Sequence, residues 1–271
     1  MSAESDASLD EGGPRITRRA ALGLCIASLA APACRGQAGA TGAPESAASR
    51  LLARPGPPRA APPPAGTSSL GLAAGRDASI HLPAGYRADS PAPLVLLLHG
   101  AGGSARGGLA PLLPFADDAG LVLLAPDSRG TTWDFLRGAY GPDVAFIDRA
   151  LAWTFARLAV DPARLAIGGF SDGASYALSL GLTNGDLFAR VVAFSPCVLA
   201  PTAYRGRPRV FVSHGTSDEV LPIDACSRAI VPALRRTGYD VTYREFDGPH
   251  TVPAEIARAA VDWLASDGAR R

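Results

Sequence analysis

The run Leu165-Ala166-Ile167-Gly168-Gly169-Phe170-Ser171-Asp172-Gly173-Ala174-Ser175-Tyr176-Ala177-Leu178 is compatible with very few local structures. Leu165 to Ile167 is short and wholly apolar, as a strand covered on both faces should be. Gly169-Phe170-Ser171-Asp172-Gly173 follows, with glycine two residues before and two after a serine. A serine at the apex of a tight strand-to-helix turn takes a strained backbone conformation, and there is no room beside it for a Cβ at either flank. The hydroxyl is pushed clear of the strand, and the next amide N–H faces the space where an oxyanion would form. A Gly/Ser-rich loop without chemistry can carry the same pentapeptide, so the surrounding chain decides.

Downstream, apolar runs alternate with helical patterns. Pro93–Leu98, Leu121–Ala125, Leu165–Gly169, Val191–Phe194, Val210–Val212 and Val241–Phe246 read as strands. Helices fit at about 104–116, 143–158, 173–182, 224–237 and 253–265. Leu70-Gly71-Leu72 and Ala78–Leu82, around Gly75-Arg76-Asp77, read as a hairpin. Such alternation predicts an α/β fold: a mostly parallel central sheet with helices on both faces, and no insertion long enough for a separate lid domain.

In open parallel sheets, functional groups collect beyond the carboxyl ends of the strands. Ser171 follows one such end. His214-Gly215-Thr216-Ser217-Asp218 follows another, and Asp247-Gly248-Pro249-His250 follows the last. A neutral hydroxyl is a poor nucleophile, so Ser171 needs a base, and His250 is the candidate. Asp218 is the candidate acid that would orient the imidazole. Its neighbours Glu219 and Asp224 are rivals, with Asp224 better placed to cap the next helix. His81 lies inside a predicted strand, while His99 and His214 each precede a glycine and read as turn-shaping residues. The amides of Ala101 and Asp172 are the candidate oxyanion donors, with Gly102 second to Ala101; losing such a donor costs about 3 kcal/mol in the barrier. Asp127–Phe135, with Tyr140, forms a long loop on the same edge. Its Trp133 and Tyr140, together with Gly102, are candidate substrate contacts; equally, its aromatics could pack beneath the loop. Tyr204 is similarly ambiguous.

His99-Gly100-Ala101-Gly102-Gly103, the Ser171 pentapeptide, His214–Asp218 with Val220-Leu221-Pro222, and Pro249-His250 together resemble an α/β-hydrolase esterase from about residue 70 to 265. Within that superfamily the chain is similar to the phospholipase/carboxylesterase group and to the extracellular poly(3-hydroxybutyrate) depolymerase and feruloyl-esterase-like group. Asp172 departs from the glutamine usual in the first group, and from the asparagine usual in the second. The resemblance implies cleavage of a small-molecule or polymeric carboxylic ester through an acyl-serine, with no cofactor and no metal. A prolyl-oligopeptidase-type peptidase shares similar motifs but usually adds a large N-terminal propeller. A non-catalytic binding protein on the same scaffold is the remaining alternative.

Composition narrows the chemistry further. All 26 basic residues are arginine, so a Ser-Lys dyad, a Schiff base and a P-loop lysine are excluded. A formal charge of +1 gives no electrostatic case for nucleic acid as a partner. The four cysteines, at 25, 34, 197 and 226, include no C-x-x-C pair. Cys197 and Cys226 could bridge in an exported protein or remain separate thiols. Residues 1–34 read as an export signal: Arg18-Arg19 before the weakly apolar Ala20–Ala31 resembles a twin-arginine leader. Ala31-Pro32-Ala33-Cys34 resembles a lipobox, which would tether the protein to a membrane through lipidated Cys34; ordinary cleavage near the same place is the competing reading. Residues 35–69, rich in Pro, Ala, Gly and Ser, are expected to be a disordered linker. The catalytic domain is expected over 70–271, its oligomeric state not readable.

Overall fold

The computed structural model describes residues 47–266. Residues 1–34, expected to be an export signal, and Cys34 with them lie outside the described residues. The strands are β1 (Gly66–Ser69), β2 (Ala78–Leu82), β3 (Ala92–Leu98), β4 (Val122–Pro126), β5 (Val160–Phe170), β6 (Arg190–Phe194), β7 (Arg209–Gly215) and β8 (Val241–Phe246). They form one sheet in the order β1-β2-β4-β3-β5-β6-β7-β8. β1 and β2 pair antiparallel at one edge, and every pair from β4 to β8 is parallel.

The helices are α1 (Ala105–Leu109), α2 (Ala116–Ala119), α3 (Pro142–Phe155), α4 (Asp172–Thr183), α5 (Ser227–Arg236) and α6 (Ala254–Ala265). Strand side chains alternate between two cores. Leu94, Leu96 and Leu98 belong to one core with Ile147 and Leu151 of α3 and Ala174 and Leu178 of α4, which continues to Ile230 and Leu234 of α5. Val95 and Leu97 pack on the other face with Leu109, Ala116, Ile256 and Val261 of α1, α2 and α6. Both faces of β3 are therefore dry, which is why its sequence is unbroken hydrocarbon; each such leucine contributes about 1.5–3 kcal/mol.

Three expectations are corrected. The expected helix over 104–116 is α1, a 3-10 turn at Leu113–Phe115, and then α2. Pro111 and Pro114 cannot donate the amides that a continuous helix needs. The hairpin strand is Gly66–Ser69 rather than Leu70–Leu72, with Thr67 opposite His81. The carboxylate of Asp77 captures the amides of Gly71 and Leu72, turning the chain there.

The third correction concerns the spacer. Its described part, from residue 47, is docked on the domain. Leu51 is fully buried. Its amide donates to Asn184 Oδ1 at 3.0 Å, and the amides of Leu52 and Ala53 donate to Asp148 Oδ1. Arg50 and Arg54 both pair with Asp186, at 2.9 and 2.8 Å. Proline removes few of these bonds, because the segment is held by scattered donors rather than by a repeating ladder.

Candidate active site

Ser171 follows β5 at the mouth of the sheet with φ 59° and ψ −122°, a conformation rare for any L residue. Its amide donates to Phe194 O of the neighbouring strand at 2.9 Å, which pins the apex. The flanking glycines are sterically required. A Cβ on Gly173 would sit 2.1 Å from Leu98 O, and one on Gly169 would sit 2.4 Å from Gly173 O.

From this apex the Ser171 hydroxyl donates to His250 Nε2 at 2.9 Å. His250 Nδ1–H donates to Asp218 Oδ2 at 2.6 Å. Thus serine 171, acid 218 and histidine 250, carried by the loops after β5, β7 and β8, meet as one chain of hydrogen bonds. The His250 and Asp218 loops are laid against each other: Ser217 N donates to Gly248 O at 3.0 Å and Thr216 N to Phe246 O at 2.8 Å. Phe170, adjacent to the serine, packs its ring 4.6 Å from the His250 imidazole and walls it in place.

The Asp218 side chain has no solvent exposure. Burial alone would raise its carboxyl pKa. The Leu221 amide, His250 and the Val220 amide outweigh burial and hold it below the usual carboxylate range. Both backbone donors reach Oδ1, at 2.8 Å from Leu221 and 3.0 Å from Val220, leaving Oδ2 to the imidazole. Asp224, the expected cap, instead forms an ion pair with Arg228 at 2.8 Å, and Cys226 occupies the cap position.

The loop after β3 lies beside the serine. His99 shapes it: Ser128 N–H donates to Nε2 at 3.0 Å, so the proton is on Nδ1, which donates to Gly100 O at 2.7 Å. Burial pushes the His99 pKa down, keeping the ring neutral. The Gly102 amide donates to Thr131 O at 2.6 Å and is therefore not free for an oxyanion or a substrate, which corrects that expectation. Ala101 is exposed at the tip of the turn. Asp172 opens α4, where an amide has no intrahelical acceptor. Thr132 donates to its carboxylate at 2.5 Å, tying the loop after β4 to the serine turn.

Trp133 is also corrected as a substrate contact. It is fully buried, and its Nε1–H donates to His99 O at 2.8 Å. Its ring stacks on Tyr176 of α4 at 5.1 Å. Bulk and a single polar handle make it a brace beneath the β3 loop. Tyr140 is half-buried, stacks on Phe135 at 5.3 Å and donates to Ala200 O at 3.2 Å, linking the loops after β4 and β6. Tyr204 packs near Tyr239, which precedes β8, and so lies at the opposite end of the sheet.

The first of two further features decides an alternative that the sequence leaves open, and the second is one that the sequence reading lacks. Cys197 and Cys226 form a disulfide joining the loop after β6 to the start of α5. The second is a ladder of hydroxyls on α4. Ser175 Oγ accepts from Cys197 N, Ser179 Oγ from Ala200 N and Thr183 Oγ1 from Thr202 N, at 3.0–3.2 Å. The signal was present: Ser171, Ser175, Ser179 and Thr183 recur every four residues along one helical face. No cluster of three or more His, Cys, Asp or Glu side chains arranged to hold a metal occurs among the described residues.

A family model described as phospholipase/carboxylesterase matches residues 145–265. The probable feruloyl esterase C of Aspergillus niger is 28% identical over 158 residues, covering 55% of this chain and 57% of that one. The chain thus spans a little over half the length of that relative. Among solved structures, esterase PE8 superposes with a TM-score of 0.54 and 26% identity, over 68% of this chain and 95% of that one. The substrate-bound fluorophosphonate-binding serine hydrolase F of Staphylococcus aureus gives a TM-score of 0.60 at 16% identity, over 76% of this chain and 100% of that one.

Proposed function

Taking the chain as an esterase-type member of the α/β-hydrolase superfamily, we propose that it is a serine-dependent carboxylic ester hydrolase working through an acyl-serine intermediate. One observation carries the reading: the unbroken line Ser171 Oγ, His250 Nε2, His250 Nδ1, Asp218 Oδ2, with separations of 2.9 and 2.6 Å. The family match and the esterase relatives support it.

In the first half-reaction Ser171 Oγ attacks the ester carbonyl carbon as its proton passes to His250 Nε2. Asp218 stabilises the imidazolium and keeps it oriented. The carbonyl oxygen, now negative, takes hydrogen bonds from the Ala101 and Asp172 amides. Collapse expels the alcohol, which receives the proton from His250, and leaves the acyl group on Ser171. Water then attacks with His250 as base, releasing the carboxylic acid and the free serine. The leader-like segment at 1–34 supports an exported enzyme, and Cys34 a membrane tether for it. The likeness to a feruloyl esterase supports an ester substrate, small or polymeric.

The test is a panel of 4-nitrophenyl esters of graded acyl length set beside peptide amides. Ester turnover, little amide turnover, and a fall to background in Ser171→Ala are the expected results. Preferential amide cleavage would favour a peptidase, and a folded protein inert to both panels would favour a binding role.

A further inference from the structure

The acid of the triad is itself held by a second histidine. His214, in β7, is fully buried. Its Nε2 lies 2.8 Å from Leu221 O and 3.2 Å from Asp218 Oδ2, while its Nδ1 lies 2.6 Å from Ser227 Oγ. A carbonyl oxygen can only accept, so the proton must be on Nε2 and the Ser227 hydroxyl must donate to Nδ1. The ring therefore presents Nε2–H to the Leu221 carbonyl and to the same carboxylate oxygen that receives His250.

Both ends of residue 221 are thereby engaged. Its amide donates to Asp218 Oδ1 and its carbonyl accepts from His214. The acid turn is closed on the backbone side and on the imidazole side at once. Ser227 follows Cys226, whose disulfide partner Cys197 donates its amide to Ser175, one helical turn beyond the nucleophile. The ring of His214 is thus linked, through Ser227 and the disulfide, to the helix that follows Ser171. Around His214 the titratable and charged groups are Asp218 on its own loop, His250 after β8, and Glu245, its register partner in β8.

We propose that His214, fixed in one tautomer by the Leu221 carbonyl and braced at Nδ1 by Ser227, is a positioning residue that sets the Asp218 carboxylate for His250. The inference rests on the proposed function and deepens it. A hydrogen bond to a charged group is the interaction at stake, so His214→Phe should lower kcat by about tenfold to a hundredfold. KM should change much less, because His214 does not face the substrate. A less well placed carboxylate stabilises the imidazolium less, so the acid limb of the kcat/KM profile should move to lower pH. His214→Gln, which can place an amide donor near Nε2, should recover much of the loss. Ser227→Ala should show the same pattern at a few-fold scale, since the ring then loses the contact that holds its Nδ1 side.

The experiment measures kcat, KM and the pH profile on a 4-nitrophenyl ester for the wild type and the three variants, with thermal denaturation alongside. A purely structural role would lower the melting temperature but leave the profile of the folded fraction unmoved. Unchanged kcat and profile in folded His214→Phe would overturn the inference. If that variant does not fold, unchanged kcat and profile in Ser227→Ala would do so. A wild type inert towards esters would instead remove the proposed function, and this inference with it.

Discussion

Gly173 is the tightest point of the site. A methyl group there would meet Leu98 O at 2.1 Å and His99 O at 2.5 Å, both backbone atoms that cannot swing aside. Gly173→Ala should therefore destabilise the protein by about 3 kcal/mol or more, and should displace the serine in whatever remains folded. Urea denaturation and ester turnover measure the two effects separately; near-wild-type values for both would contradict the account. The same crowding explains why the nucleophile was legible: sterics write themselves as glycines at fixed distances. The convergence of His250 and Asp218 on Ser171 was legible through their order along the chain and their position after strands. Gly102 and Trp133 were not. A free and an occupied amide look alike in sequence, and an indole at a loop centre packs inward or outward according to whether an acceptor such as His99 O waits beneath it.

At the scale of elements, the loop after β6 is held by side chains rather than by a ladder of its own. Ser179 Oγ accepts from Ala200 N at 3.0 Å while donating to Ser175 O at 2.8 Å. Ser179→Ala removes the partner of the half-exposed Ala200 amide, at a cost of about 0.5–1.5 kcal/mol. Hydrogen exchange should show residues 197–202 opening more readily in that variant while β5 and β6 stay protected; unchanged exchange at Ala200 would contradict the assignment. Elements whose character comes from continuous hydrocarbon, such as β3 and β4, could be read from sequence within a residue or so. Those decided by local competition could not. Asp77 diverts residues 70–72 from the sheet, and paired prolines split the helix expected over 104–116.

Across the whole molecule, two buried histidines, His99 and His214, are held neutral, their pKa values pushed below the ordinary 6.5 chiefly by burial. In the unfolded chain both take up protons as pH falls through about 6.5, while the folded protein resists. Stability should therefore decline from neutrality downward, most steeply below 6.5. The carboxylates held low, Asp77, Asp161 and Asp218 among them, add to the loss only below about 3.8, their ordinary value. Denaturant midpoints at pH 7.5 and 5.5 test this: they should differ, and less so in His214→Gln, whereas equal midpoints in the wild type would contradict it. The docking of residues 47–60 was the least legible feature at this scale, because Leu51, Arg50 and Arg54 are three anchors in a stretch whose composition argues for a spacer. Everything proposed here depends on Ser171 being a nucleophile activated by His250. The most direct measurement is the mass of the Ser171 peptide after brief exposure to a fluorophosphonate, which phosphonylates an activated serine with loss of fluoride. The account predicts an adduct on Ser171 in the wild type and very slow labelling in His250→Ala. A wild-type peptide that stays unmodified, or one labelled equally fast without the imidazole, would contradict it.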